Sequence, residues 1–125
     1  MRTAICVSLG CASSPAVQET AAGPHAIACN LKAIGPRQRR RYNVLMKRLR
    51  AAVRNRKALR SGYAYQLNPK AIKLPEVAEW MSLERLCCPF LKFKLSATGQ
   101  PTDWLLTLTG PEGVKPLLET EFPAR

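Results

Sequence analysis

"LPEVAEWMSLERLCCPFLKFKL", residues 74–95, carries two periodicities back to back. As far as Cys88 the apolar positions recur at helical spacing. At about 100° per residue, Val77, Trp80, Met81 and Cys88 fall on one arc, with Cys87 at its margin. Pro75 suits a first helical turn, and Glu76 and Glu79 lie near the positive end of the helix dipole. Pro89 cannot continue the helix and pushes Cys88 away from helical geometry. From Leu91 the period becomes two. Leu91, Phe93 and Leu95 point one way and Lys92 and Lys94 the other, which is a strand buried on one face.

The flanks extend this reading in both directions. "WLLTLT" (104–109) is the next strand, joined to the first by the "TGQPTD" turn, so the pair forms an antiparallel hairpin. "GPEGVKPLLETEF" reads as a last helix that Pro116 should distort. The Gly110-Pro111-Glu112-Gly113 turn lacks the lysine and glycine spacing of a phosphate-binding loop and is read as a helix start. Upstream, "GYAYQL" (62–67) is a strand ended by Asn68-Pro69. Gly35-Pro36 opens a helix expected to run to about Leu59, with Tyr42, Leu45, Leu49 and Val53 on its apolar stripe. "HAIACNL" (25–31) alternates Ile27, Cys29 and Leu31 and reads as a further strand. The expected order is β-α-β-α-β-β-α. This is an α+β, two-layer sandwich with a small, mainly antiparallel sheet and helices packed on one face, as a single domain over residues 25–125.

Glu84 is the anomaly of the central helix. It falls in the middle of the apolar arc, where an unpaired carboxylate would cost many kcal/mol. It must be protonated, ion-paired or metal-bound. An arginine from the first helix, such as Arg41, is the simplest partner. One turn later come Cys87 and Cys88, and Cys29 alternates inward on the strand expected before the first helix. Thiolates beside a carboxylate suit soft or borderline metals, so Cys29, Glu84, Cys87 and Cys88 are the candidate ligands for zinc, copper(I) or mercury(II). Other readings of the same residues stay open. They are a disulfide from Cys29 to Cys87 or Cys88 that leaves one free thiol, a strained Cys87–Cys88 bridge, and a structural thiol core with no site.

The single histidine, His25, argues against a Ser-His-Asp hydrolase and against a histidine-rich metal enzyme. No second base stands ready to activate a nucleophilic cysteine, so a binding or sensing role fits better than catalysis.

"ERLCCPFLKFKL" followed by "WLLTLTGPEGVKPLL" resembles a group of small, uncharacterised bacterial α+β proteins. These share Glu-Arg-x-Cys-Cys-Pro-Phe, an alternating strand and Leu-Thr-Gly-Pro-Glu-Gly-Val. The likeness spans roughly residues 25–122. It implies a common fold and a functional part for Glu84, Cys87, Cys88 and Cys29, with no activity attached. Pro116 and the density of basic residues in the first helix are departures of this chain.

The charge is localised. Eleven of the 20 lysines and arginines lie between Pro36 and Arg60, with no acidic residue among them. Arg37, Arg40, Arg41, Lys47, Arg48, Arg50 and Arg54 are the candidates for contact with an anionic surface. Such a surface is a membrane if the protein is tethered, or a nucleic acid in the alternative of a nucleic-acid-binding accessory protein. The first 24 residues, "MRTAICVSLGCASSPAVQETAAGP", combine a basic start, an apolar run and small residues before Cys11. They resemble a bacterial lipoprotein signal peptide with Cys11 as the lipidation site and the following residues as a flexible tether. Export and membrane tethering is therefore the expected localisation, with the cytoplasm as the alternative.

Overall fold

The computed structural model describes residues 27–99 and 103–124. Helix α1 (Pro36–Ala52) begins where Pro36 occupies the first helical position and the Gln38 side chain accepts the Gly35 N–H at 3.1 Å. Strands β1 (Val53–Leu59) and β2 (Gly62–Leu67) form a hairpin. Helix α2 (Leu74–Cys87) starts with the Glu76 carboxylate accepting the Lys73 N–H, and β3 (Lys92–Ser96), β4 (Trp104–Thr109) and α3 (Val114–Glu121) follow. The sheet order is β1-β2-β4-β3, antiparallel throughout.

Register explains why the helices gather on one side. Tyr63, Leu108 and Phe93 form one cross-strand row and Tyr65, Leu106 and Leu95 the next, all directed to the same face. Trp80 from α2 and Phe122 after α3 close over these rows, with the Tyr65 and Phe122 ring centroids 4.9 Å apart. The opposite face carries Gln66, Leu105 and Thr107 towards solvent. Helices α1 and α2 pack together and are bridged at their rims by the ion pairs Arg41–Glu79 and Arg48–Glu76. Gly62 is required by packing, because a Cβ there would collide with the Leu108 carbonyl on β4. No helix among the described residues is long and apolar enough to cross a membrane.

The α+β class, the antiparallel sheet and its one-sided helical layer match the sequence reading, with one strand in a different place. Residues 27–31 form no strand. The Asn30 side chain accepts the Lys32 N–H at 3.1 Å and folds the chain into a short 3-10 turn over Leu31–Ala33. The first strand is instead β1, cut from the end of the expected helix. Arginine, lysine, alanine and leucine in 54–59 favour helix intrinsically, but pairing with β2 outweighs that preference. A bulge between Val53 and Asn55 also disguises the strand, because its half-buried residues are Val53, Arg56 and Leu59, three apart as in a helix. Pro116 does not distort α3. It is the third helical residue, where its missing N–H would have had no partner in the helix.

Candidate functional site

Three elements meet at the end of α2. Cys88 leaves the helix as its cap, at φ −127°, while its N–H still donates to the Glu84 carbonyl at 2.7 Å. Pro89 explains the exit, since it disfavours helical geometry in the residue before it. The Asn30 N–H donates to the Cys87 carbonyl at 2.8 Å and pins the Cys29 segment against this helix end. Glu121 closes α3, and its backbone carbonyl accepts the Arg50 Nε–H at 2.6 Å.

Cys29 and Cys88 are joined as a disulfide, with their Cα atoms 4.8 Å apart and a sequence separation of 59. Around it, one ligand atom from each of Cys29, Glu84, Cys88 and Glu121 lies within 4.8 Å of every other. Cys29 Sγ is 3.3 Å from Glu121 Oε1 and 3.9 Å from Glu84 Oε1. A disulfide sulfur has no proton to donate, so these are contacts in the oxidised state and become hydrogen bonds only when the pair is reduced. Cys87, the free cysteine among the described residues, is buried with its Sγ 3.4 Å from the Glu84 carbonyl and 3.8 Å from Glu84 Oε2. It stands beside the cluster and is not one of the four converging ligands.

Glu84 is completely buried, as its place on the arc required. Its partner differs from the arginine expected. Arg41 is held by Glu79 through two hydrogen bonds of 2.8 and 2.7 Å at the rim. Glu84 is instead hydrogen-bonded to the Glu121 carboxyl group and accepts from the Tyr42 hydroxyl. Burial, and then the charge of Glu121, push its carboxyl up to about 8, against the weaker opposing effect of Tyr42. Burial raises Glu121 too, while its hydrogen bond with Glu84 and the charge of Arg50 pull the other way. Two carboxyl groups this close hold a proton between them at neutral pH. Oε2 of Glu121 is buried and receives no hydrogen bond from any hydroxyl or N–H among the described residues.

The Cys87 thiol is raised to about 12, first by burial and then by the charges of Glu84 and Glu121. At neutral pH it is a protonated, inert sulfur. The dense part of the site is therefore a sulfur pair faced by a carboxyl pair. Glu121 was not singled out in the sequence. The available signal was a weak one, a glutamate one residue before the apolar end of the last helix.

The basic residues are distributed over two elements, not one. Arg54 lies on β1 and pairs with Asp103 at 2.7 Å, Arg41 and Arg48 are bound to acidic residues of α2, and Arg50 braces the end of α3. Arg37, Arg40 and Lys47 are exposed on α1. Cys11 and the signal-like segment lie outside the described residues. Compared with known proteins, the chain matches no family model, no curated protein and no solved structure.

Proposed function

We propose that the protein binds a borderline divalent cation, zinc foremost, through reduced Cys29 and Cys88 together with Glu84 and Glu121. The carrying observation is the convergence of these four side chains from three separate elements within 4.8 Å. Two thiolates and two carboxylates form the mixed sulfur and oxygen set that a tetrahedral borderline ion accepts, whereas copper(I) and mercury(II) favour sulfur alone. Metal–sulfur bonds of ~2.3 Å at a tetrahedral angle separate two sulfurs by roughly 3.8 Å. Cα atoms 4.8 Å apart allow that separation by rotation of the two side chains.

The disulfide is the form closed to metal, because its sulfurs carry neither charge nor thiolate character. Opening it takes two electrons and two protons from a thiol reductant, which is itself oxidised to a disulfide. Metal binding then displaces protons from the thiols and from the carboxyl pair. The inert Cys87 and a sequence with only one histidine favour binding or sensing over catalysis.

Elemental analysis of purified full-length protein, before and after reduction by a phosphine that does not chelate, tests the reading. One zinc per chain is expected in the reduced form and none in the oxidised form, with Cys29→Ser and Cys88→Ser both abolishing uptake. Equal zinc in the two forms, or none in either, would leave a structural disulfide and no metal site.

A second reading concerns the outer face of α1. Exposed Arg37, Arg40 and Lys47 favour contact with a phosphate-bearing surface, a tethering membrane or a nucleic acid. Binding of the full-length protein to anionic vesicles and to duplex DNA, each measured against salt, separates the two partners.

A further inference from the structure

A cavity of about 520 Å3 opens where α1 ends, beneath the bulge of β1 and against the residues after α3. Its charged lining residues are Arg50, Arg54 and Arg56, with no acidic residue among the described residues of the wall. Val53, Tyr65 and Phe122 supply apolar and aromatic surface. The size is that of a small-molecule site.

The guanidinium groups are held in place by the fold. Arg50 donates to the Glu121 carbonyl, Arg56 to the Phe122 carbonyl at 3.3 Å, and Arg54 to Asp103. Each guanidinium has five N–H donors, and the bonds named for Arg54 and Arg56 take one from each. Asp103 already offsets the charge of Arg54, and the remaining positive potential of the concavity favours an anion, which a guanidinium fork binds with two parallel hydrogen bonds.

A second observation points the same way. Tyr65 is fully buried on the central strand β2, it lines this cavity, and its hydroxyl has no hydrogen-bond partner among the described residues. Buried hydroxyls are normally satisfied, so an orphan on a residue that lines the cavity is a donor to which a ligand can offer an acceptor. The indole N–H of Trp80 likewise has no partner among the described residues, but Trp80 does not line the cavity. An inorganic ion alone would leave the aromatic wall uncovered.

We propose that this cavity binds a small organic anion with a flat apolar body, an aryl carboxylate or aryl phosphate. The oxyanion is held by the arginines and Tyr65, and the ring lies against Phe122 and Val53. The site is separate from the sulfur pair, and the assignment does not depend on metal binding.

The test is titration of the full-length oxidised protein with benzoate, phenyl phosphate, inorganic phosphate and benzyl alcohol, followed by amide shifts of Val53, Tyr65 and Phe122. Benzoate or phenyl phosphate should saturate, and whichever binds more tightly identifies the oxyanion. Benzyl alcohol and inorganic phosphate should each bind at least about tenfold more weakly, for want of the charge or of the ring. Tyr65→Phe, which keeps the ring and removes the hydroxyl, should weaken binding about tenfold, as should Arg54→Gln at the rim. The proposal fails if neither aryl anion saturates. It fails equally if benzyl alcohol or inorganic phosphate matches them, or if both variants bind like the wild type.

Discussion

Glu84 on α2 and Glu121 at the end of α3 are hydrogen-bonded carboxyl to carboxyl, with the Cys29 sulfur within 4 Å of both. Among the described residues no arginine head group forms an ion pair with Glu84, in the way a buried glutamate is usually satisfied. The pair stays neutral enough to be buried by sharing a proton, and that places its chemistry under the control of pH.

Stability of the oxidised protein should therefore fall with rising pH. Glu84 is raised from an ordinary 4.5 to about 8 on folding. Between those values the folded protein binds more protons than the unfolded chain. The stabilisation is complete below the window and is lost as pH rises through it, by up to about 1.4 kcal/mol per pH unit for one proton. Glu84→Gln cannot ionise, and its amide can donate to Glu121 in place of the carboxyl. Urea unfolding from pH 5 to 9 should show this slope flattened in the variant, with stability at pH 5 within about 1 kcal/mol of wild type. Parallel pH profiles would disprove the shared proton.

The disulfide links residues far apart in sequence, so its loss should be costly. Cys29→Ala in the oxidised protein should destabilise the fold by about 4 kcal/mol, the loop-closure value for the 59-residue separation. Cys87→Ala leaves the bridge intact. Thiol labelling of denatured protein, before and after reduction, should show two additional reactive sulfurs in wild type and in Cys87→Ala, but none in Cys29→Ala.

Zinc affinity of the reduced protein should rise with pH, because thiols and the carboxyl pair must release protons to bind it. Below about pH 8, where Glu84 is protonated, the dissociation constant should fall about tenfold per pH unit for each proton displaced. Competition titrations at pH 6 and pH 8 measure it, with Glu121→Gln expected to reduce both the affinity and its pH dependence. An affinity independent of pH would exclude the carboxyl pair as ligands.

Gly62 is the backbone position least able to change. It pairs with Thr109 across the centre of the sheet, and an added methyl would meet the Leu108 carbonyl. Gly62→Ala should cost about 3 kcal/mol, at the upper end of ordinary overpacking, because backbone cannot move aside as a side chain can. Thermal unfolding followed by far-UV circular dichroism gives the comparison.

Local order in the sequence determined much of this protein. The arc of Val77, Trp80 and Glu84, the alternation of Phe93 and Leu95, and the run 104–109 fixed α2, β3 and β4, because each side chain's direction follows from its own backbone period. Periodicity also buried Glu84 and brought Cys88 to the point where Pro89 ends the helix. Tertiary structure decided everything that needed a partner distant along the chain. It made 53–59 a strand, because hydrogen bonds to β2 outweigh a helical preference worth tenths of a kcal/mol per residue. It gave Arg41 to Glu79 and Glu121 to Glu84, and it chose Cys88 over Cys87 for Cys29. Each of those choices depends on which side chains the packed helices bring within a few ångströms, a distance that periodicity along one segment does not contain.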